Sequence, residues 1–188
     1  GCKTDDFTEQ SVAAGKHVLV EKPLTLTVRD AEACVEAMKQ HGKTYMVNFS
    51  LRWMTPFYRA KQLIAEGKIG EPRYCFFEQS NTPEVPLSML KWAAQSNVIW
   101  FLGVHSIDMV EWLLSSRISR VFSRAERGIL AARGVDTEDY VISTCELRSG
   151  ATAVIENSWV LPESHTGIST CRCKIVGTKG TLFVDALS

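Results

Sequence analysis

Three groups of residues could carry chemistry. Glu21-Lys22-Pro23 closes a short apolar run, His17-Val18-Leu19-Val20. In open α/β sheets, ligands sit at the carboxyl ends of strands. An acid beside a lysine there can position a ligand while the ammonium donates a proton. Burial or a nearby cation would lower the lysine pKa and make it a usable acid/base. By spacing alone, an ordinary surface ion pair ahead of a loop is the commoner reading. Gly103-Val104-His105-Ser106-Ile107-Asp108 lies inside the most apolar helical stretch. His105 and Asp108 are three apart and share a helix face, so the carboxylate could orient or charge-stabilise the imidazole. A histidine satisfied within a core is the alternative. Gly103 would let another backbone or a ligand come close. Arg52 follows a second strand-like run, and its planar guanidinium suits a carboxylate or phosphate; a solvated surface arginine is the alternative.

Other residues point less far. Six cysteines stand at 2, 34, 75, 145, 171 and 173, with no Cys-x-x-Cys and no histidine at zinc-finger spacing. Cys171 and Cys173 share one face of a strand-like run, which could suit a metal or a redox pair. Reduced, buried thiols are the plainer reading, and no metal site is expected. A reducing cytoplasm fits that usage. His17, His41 and His165 have no partner in sequence. The five tryptophans, 53, 92, 100, 112 and 159, could stack on a sugar, although core packing is the commoner job. No two of the 12 glycines are two residues apart, so the Gly-x-Gly-x-x-Gly phosphate loop is not in this sequence. Walker, Gly-x-Ser-x-Gly and His-Glu-x-x-His motifs are not in it either.

The elements that must position these residues change character along the chain. Asp6–Ala14 reads as a helix ended by Gly15, and His17–Val20 as a buried strand stopped by Pro23. Thr27–Gln40 reads as a helix with Val28, Ala31, Val35 and Met38 as its buried stripe and Gly42 at its end. Thr44–Phe49 reads as a strand. Thr55–Ala65 reads as a helix with Pro56 in its first turn, and Arg73–Gln79 as a strand. Residues 81–96 read as a loop with one helical turn, and Val98–Leu114 as a single apolar helix. Five strands then follow, at 119–127, 140–147, 151–160, 169–176 and 181–184. Arg148-Ser149-Gly150 and Gly177-Thr178-Lys179-Gly180 suit hairpins between them. Helix and strand alternate at first, as in a parallel α/β unit; the remainder resembles an α+β sheet domain.

At 188 residues the chain can bury roughly 70% of its unfolded surface. Lys and Arg total 21, balanced by 21 Asp and Glu. That balance argues against a nucleic-acid footprint and against a polybasic membrane anchor. Apolar residues are 45% and charged residues 22%, the proportions of an ordinary globular protein. No run approaches the ~20 apolar residues of a membrane helix.

Taken together, the motifs resemble the Gfo/Idh/MocA family of nicotinamide-dependent oxidoreductases. Gly15-Lys16-His17-Val18-Leu19-Val20-Glu21-Lys22-Pro23 is similar, nearly residue for residue, to the family's G-K-H-V-x-x-E-K-P signature. Met46–Trp53 is similar to its strand ending in an arginine. Gly67-Lys68-Ile69-Gly70-Glu71-Pro72 resembles its G-x-I-G turn, the 103–108 segment its G-x-H-x-x-D helix, and Ile175–Thr181 its G-x-x-G strand turn. The matches run in the family's order over essentially the whole chain.

The resemblance implies an α/β plus α+β architecture. Residues 1–52 would be the tail of a Rossmann domain that binds NAD or NADP. Residues 53–188 would form an α/β domain with a large, mostly antiparallel open sheet, used for substrate binding and for homo-oligomers. It implies an internal piece of a longer enzyme that moves a hydride between NAD(P) and a sugar, cyclitol or related hydroxy compound. Lys22 would be the proton donor or acceptor, close to the nicotinamide ribose, with Glu21 and Pro23 shaping that pocket and a cis bond possible before Pro23. His105 would assist at the substrate hydroxyl, with Arg52 and Asp108 binding substrate. The isolated chain is expected to bind NAD(P) poorly, since it has no glycine loop. One departure stands out: many dehydrogenases of the family carry an aspartate where this chain has Phe101. That keeps two alternatives in view, a redox-inactive family member and a non-catalytic interaction or oligomerisation module.

Overall fold

The computed structural model describes residues 4–187, so Cys2 lies outside it. The chain divides into two compact units, residues 1–50 and 51–188.

The first unit alternates helix and strand: α1 (Thr4–Ala13), β1 (Val18–Glu21), α2 (Val28–His41) and β2 (Tyr45–Asn48). β1 and β2 are parallel, paired from Val18↔Tyr45 to Glu21↔Asn48. The long helical crossover that parallel pairing demands is α2. Thr27 caps its start, its Oγ1 accepting from Asp30 N–H at 3.1 Å. Gly42 ends it at φ 59°, where the left-handed backbone suits glycine. The buried stripe is only in part the expected one. Met38 is buried as expected and Cys34 joins it, whereas Val28 and Val35 are 76% and 45% exposed. Packing is against α1, which buries Thr8 and Val12, and a small thiol and an unbranched Met admit closer approach than β-branched Val.

The second unit is built on a six-stranded sheet. In chain order come α3 (Thr55–Ala65), β3 (Pro72–Asn81), α4 (Val104–Leu114), β4 (Ile118–Glu126), α5 (Ile129–Ala132), β5 (Tyr140–Leu147), β6 (Thr152–Ser158), β7 (Ser169–Gly177) and β8 (Thr181–Asp185). The spatial order is β4-β5-β6-β3-β7-β8. β3 runs parallel to β6, and the other four pairings are antiparallel, so the sheet is mostly antiparallel. α3 and α4 cover one face through Phe57, Ala60, Met109, Val110 and Leu113, which pack on Cys75, Phe77, Ile155, Cys173 and Ile175. The opposite face is open: Phe122 and Phe183 are 74% and 78% exposed.

Two glycine turns are locked together. Lys179 N–H donates to Ile69 O and Thr178 N–H to Glu71 O, at 2.8 and 2.9 Å. A Cβ on Gly177 would stand 2.2 Å from Ile69 O, so only glycine lets β7 end there. The G-x-I-G and G-x-x-G motifs therefore form one structural clasp.

Three segments differ from their sequence reading. Val98–Leu114 is not uniform: Ile99–Gly103 is a wide π turn that runs into α4. Asn97 starts it, its Oδ1 accepting from Ile99 and Trp100 N–H at 3.1 Å each. Residues 81–96 hold a second π turn, Val85–Met89, and a short 3₁₀ turn, Ala93–Gln95. α5 falls where no helix is expected; it is four residues long, and the buried Asp139 carboxylate caps Ile129 and Leu130 N–H, both at 2.8 Å.

Candidate functional site

In the first unit, the parallel register brings Glu21 and Asn48 side by side at the carboxyl ends of β1 and β2. Asn48 Nδ2 donates to Glu21 Oε1 at 2.7 Å. Lys22 follows, half-buried, and the Lys22–Pro23 peptide is cis. Burial lowers the Lys22 pKa from the ordinary lysine value, partly opposed by the charge of Glu21. Glu21 stays exposed and is hydrogen-bonded across the ladder, while the Lys22 ammonium is partly withdrawn from water.

In the second unit, the chemistry lies along one stripe of the helical segment. Residues 101, 105, 108 and 112 fall within about 60° of one another around a helix of 3.6 residues per turn. In order they are Phe101, His105, Asp108 and Trp112. The face turned to the sheet carries Ser106, Met109, Val110 and Leu113, all fully buried. His105 is 9% exposed. Beyond it, Arg52 reaches Asp108 in a bidentate pair, Nε to Oδ2 at 2.7 Å and Nη2 to Oδ1 at 2.5 Å. The carboxylate grip read from Arg52 is thus filled by this chain's own Asp108, and both oxygens of Asp108 accept from Arg52. Arg52 also lies over the Trp112 ring, 5.8 Å from its centroid.

Lys61, which the sequence reading passed over, supports the same end of the stripe. Its Nζ donates to Trp112 O and Ser115 Oγ, both at 2.5 Å, at the C-terminus of α4, where a cation is favoured. Burial, and secondarily Arg52, lowers its pKa. Its signal was available only as a lysine in the apolar helix α3. A 210 Å³ cleft opens here, lined by Arg52, Asp108, Glu111, Trp112 and Arg117 among others.

Gly103 is explained from below. A Cβ there would stand 3.0 Å from the Ile99 side chain and 3.3 Å from Asn157 Oδ1. The Ile99 side chain, one turn earlier, and Asn157 of β6 make the close approach. Asn157, fully buried, donates to Ser106 Oγ at 2.8 Å and Gln79 O at 3.2 Å, pinning the helix to the sheet.

The cysteines offer no site. Cys75 and Cys173 Sγ stand 3.8 Å apart, unbridged. Burial raises the Cys171 thiol to about 12; the Cys75 contact first, then burial, holds Cys173 well above its usual range. Both stay protonated and unreactive. Among the described residues no group of three metal-ligating side chains exists.

A parallel βαβ unit with a lysine at its carboxyl edge is thus followed by a sheet domain with a histidine helix packed on it, the order of a nucleotide-binding type of unit and a second, sheet-built domain. Comparison with known proteins agrees. Residues 57–183 match the GFO/IDH/MocA C-terminal domain, and residues 2–49 match the oxidoreductase family NAD-binding Rossmann fold. The chain belongs to the GFO/IDH/MocA oxidoreductase family. It is 28% identical over 186 residues to scyllo-inositol 2-dehydrogenase (NAD(+)) of Bacillus subtilis, covering 97% of this chain and 52% of that protein. It is 28% identical to 1,5-anhydro-D-fructose reductase of Ensifer adhaerens, covering 93% and 51%. The crystal structure of an oxidoreductase domain protein from Kribbella flavida superposes with a TM-score of 0.84 at 30% identity, covering 98% of this chain and 52% of that one. The chain thus spans about half the length of the relatives it matches.

Proposed function

We propose that the full-length protein transfers a hydride between NAD or NADP and a sugar, cyclitol or related hydroxy compound, with Lys22 as the acid/base. The observation that carries this reading is the half-buried Lys22 ammonium at the carboxyl end of a parallel ladder, beside the Glu21–Asn48 hydrogen bond. Ligands of doubly wound sheets collect at that edge.

The residues present fit the nicotinamide end of the cofactor. Glu21 and Asn48 offer an acceptor and a donor at the strand ends, while none of the 188 residues forms a Gly-x-Gly-x-x-Gly cradle for the pyrophosphate. When bound, the nicotinamide takes up or releases the hydride of the substrate's carbinol carbon. In the oxidation direction, neutral Lys22 accepts the hydroxyl proton as the C–H bond breaks; in reduction, the ammonium returns it. For His105 the family resemblance suggests a supporting part at a substrate hydroxyl. Arg52 and Asp108, already paired to each other, bind and orient substrate through the faces of the pair left open in the cleft.

Replacing Lys22 by Ala in the full-length protein should lower turnover by roughly 10²–10⁴-fold, the scale of general acid–base catalysis. Lys22 must be neutral to accept a proton. The oxidation rate should therefore rise with pH through an inflection below the ordinary lysine range, and the variant should lose that inflection. Turnover that survives the substitution removes Lys22 from the mechanism.

A second proposal concerns partners. The open sheet face, with Phe122 and Phe183 bare to solvent, supports self-association through the second unit. Light scattering should show a mass above that of one chain; a monomer at all concentrations refutes it. No helix of the described residues is long and apolar enough to cross a membrane. The five described cysteines, all buried and free, support a reducing compartment such as the cytoplasm.

A further inference from the structure

The β1–β2 ladder ends in a polar pair beside the proposed acid/base. In the parallel register Leu19 stands next to Met46 and Glu21 next to Asn48. Side chains alternate along a strand, so these four share one face. Leu19 and Met46 are apolar and exposed, and neither can answer a charge. Asn48 can: its Nδ2 donates to Glu21 Oε1 at 2.7 Å. A hydrogen bond to an ionised acceptor is about twice as strong as one between neutral groups. Asn48 is half-buried within β2, whereas Glu21 is exposed and is the last residue of β1. The amide is therefore the fixed partner, and the carboxylate is the one it holds. The residue that follows Glu21 is Lys22, itself half-buried.

We propose that Asn48 is a positioning residue for Lys22: its amide holds the Glu21 carboxylate across the ladder, at a set distance from the ammonium, so that the lysine can release its proton and take it back. The inference rests on the reading of Lys22 as the acid/base. A carboxylate left without its amide partner turns to the cation beside it in the chain. An opposite charge at close range keeps a lysine protonated, and a protonated lysine cannot accept the hydroxyl proton in oxidation. Burial lowers the Lys22 pKa, and the charge of Glu21 raises it. Two influences of opposite sign thus meet at one nitrogen. The second varies inversely with the separation of the charges, and the hydrogen bond to Asn48 sets where the carboxylate stands. Asn48 handles neither the proton nor the hydride; it acts through Glu21. An asparagine that only tied two strand ends together would alter stability and leave the titration of Lys22 where it is.

The test reads the Lys22 titration directly in the full-length protein, from the NMR shift of its ε-carbon after growth on isotope-labelled lysine. Loss of the signal in Lys22→Arg assigns it. Asn48→Ala should move the titration upward by about 1 pH unit, the low end for an opposite charge brought to 4–6 Å, because Glu21 is open to water. The pH inflection of oxidation should move with it, so that kcat/KM below the inflection falls about tenfold. Glu21→Gln should move both downward, since it removes the charge that raises the lysine pKa. Asn48→Ala added to Glu21→Gln should shift the titration no further, because no carboxylate is left to hold. Lys22 keeps its other neighbours in every variant, so the differences report Glu21. Asn48→Leu, close to asparagine in shape but without the donor, repeats the test should the smaller side chain loosen the ladder. A titration that both Asn48 variants leave in place, or shift equally with and without the Glu21 carboxylate, overturns the proposal. The two readings fail separately. If Lys22→Ala keeps its turnover and inflection, Lys22 is not the acid/base, while the ε-carbon titration still decides whether Asn48 governs the proton on Lys22.

Discussion

The two units are held by different means. The second encloses Phe57, Phe77, Met109, Leu113 and Ile175 between two helices and one face of six strands. The first has a two-stranded parallel ladder and buries only Val12, Cys34 and Met38 among its described apolar side chains. It leaves Leu19 and Val28 at 68% and 76% exposure. Parallel strands normally have both faces covered, and a two-stranded ladder is marginal alone. Yet the first unit holds Lys22, the residue asked to do the proton chemistry. The difference teaches that, within residues 4–187, the proposed acid/base stands on a short ladder with little core of its own and the histidine on a helix packed over a full sheet.

The largest expected effect tests that ranking directly. Phe77 is fully buried and stacks on Phe57 with centroids 5.8 Å apart. Phe77→Ala should cost about 3–5 kcal/mol and unfold the second unit at markedly lower denaturant. Met38→Ala, by contrast, should lower amide protection mainly in α1, α2 and the β1–β2 ladder. Equal loss of protection across both units would break the distinction and make them one cooperative body.

A smaller effect sharpens the polar end of the stripe. Asp108 has a side chain only 10% exposed, and Arg52 is 37% exposed. Arg52→Ala strands that carboxylate and should cost about 1–3 kcal/mol. Arg52→Lys should restore little, because the fork of two N–H donors is lost. Adding Asp108→Ala to Arg52→Ala should recover part of the loss by thermal melting; strict additivity of the two would mean the pair is not coupled.

How far the sequence could be read also divides by region. α3 was legible because Pro56 marks its first turn, and β5 because burial alternates strictly from Val141 to Leu147. The stripe of α2 was misread in part: Met38 is buried as expected, but its two valines and Cys34 all recur at helical spacing with it, and only contact with α1 chooses Cys34. α5 was invisible because its cap, Asp139, arrives from beyond its own C-terminus. The parallel pairing of β3 with β6 joins segments some 80 residues apart, which no local pattern encodes. At the candidate site, Lys22, Glu21 and His105 could be named as candidates by type and spacing. The Arg52–Asp108 bridge and the contacts of Lys61 could not, because each depends on which side chains the fold brings together.

The smallest predicted effects have opposite signs in the two units. In the first, the Thr27 hydroxyl, and less strongly Arg29, holds the Asp30 carboxyl below its ordinary pKa. A carboxylate with a depressed native pKa adds stability that is present above the unfolded value of 3.8 and is lost as pH falls through the native one. In the second, Glu156 faces Glu78 across the β3–β6 register. Burial, and then the charge of Glu78, raises the Glu156 pKa above 4.5. The native state then binds a proton more readily than the unfolded chain, so stability falls as pH rises from the unfolded value through the native one. Thr27→Ala should therefore flatten the acid loss of protection in α2. Glu156→Gln should stabilise the second unit at neutral pH by about 0.2–1 kcal/mol, the value of like charges directly opposed on a sheet, and toward the lower figure because the pair is open to water. Melting curves of Glu156→Gln from pH 4 to 8 should converge with the parent at the acid end and separate toward neutrality. Curves that stay parallel throughout would mean that the Glu156 carboxyl is not held above its unfolded pKa, by burial or by Glu78.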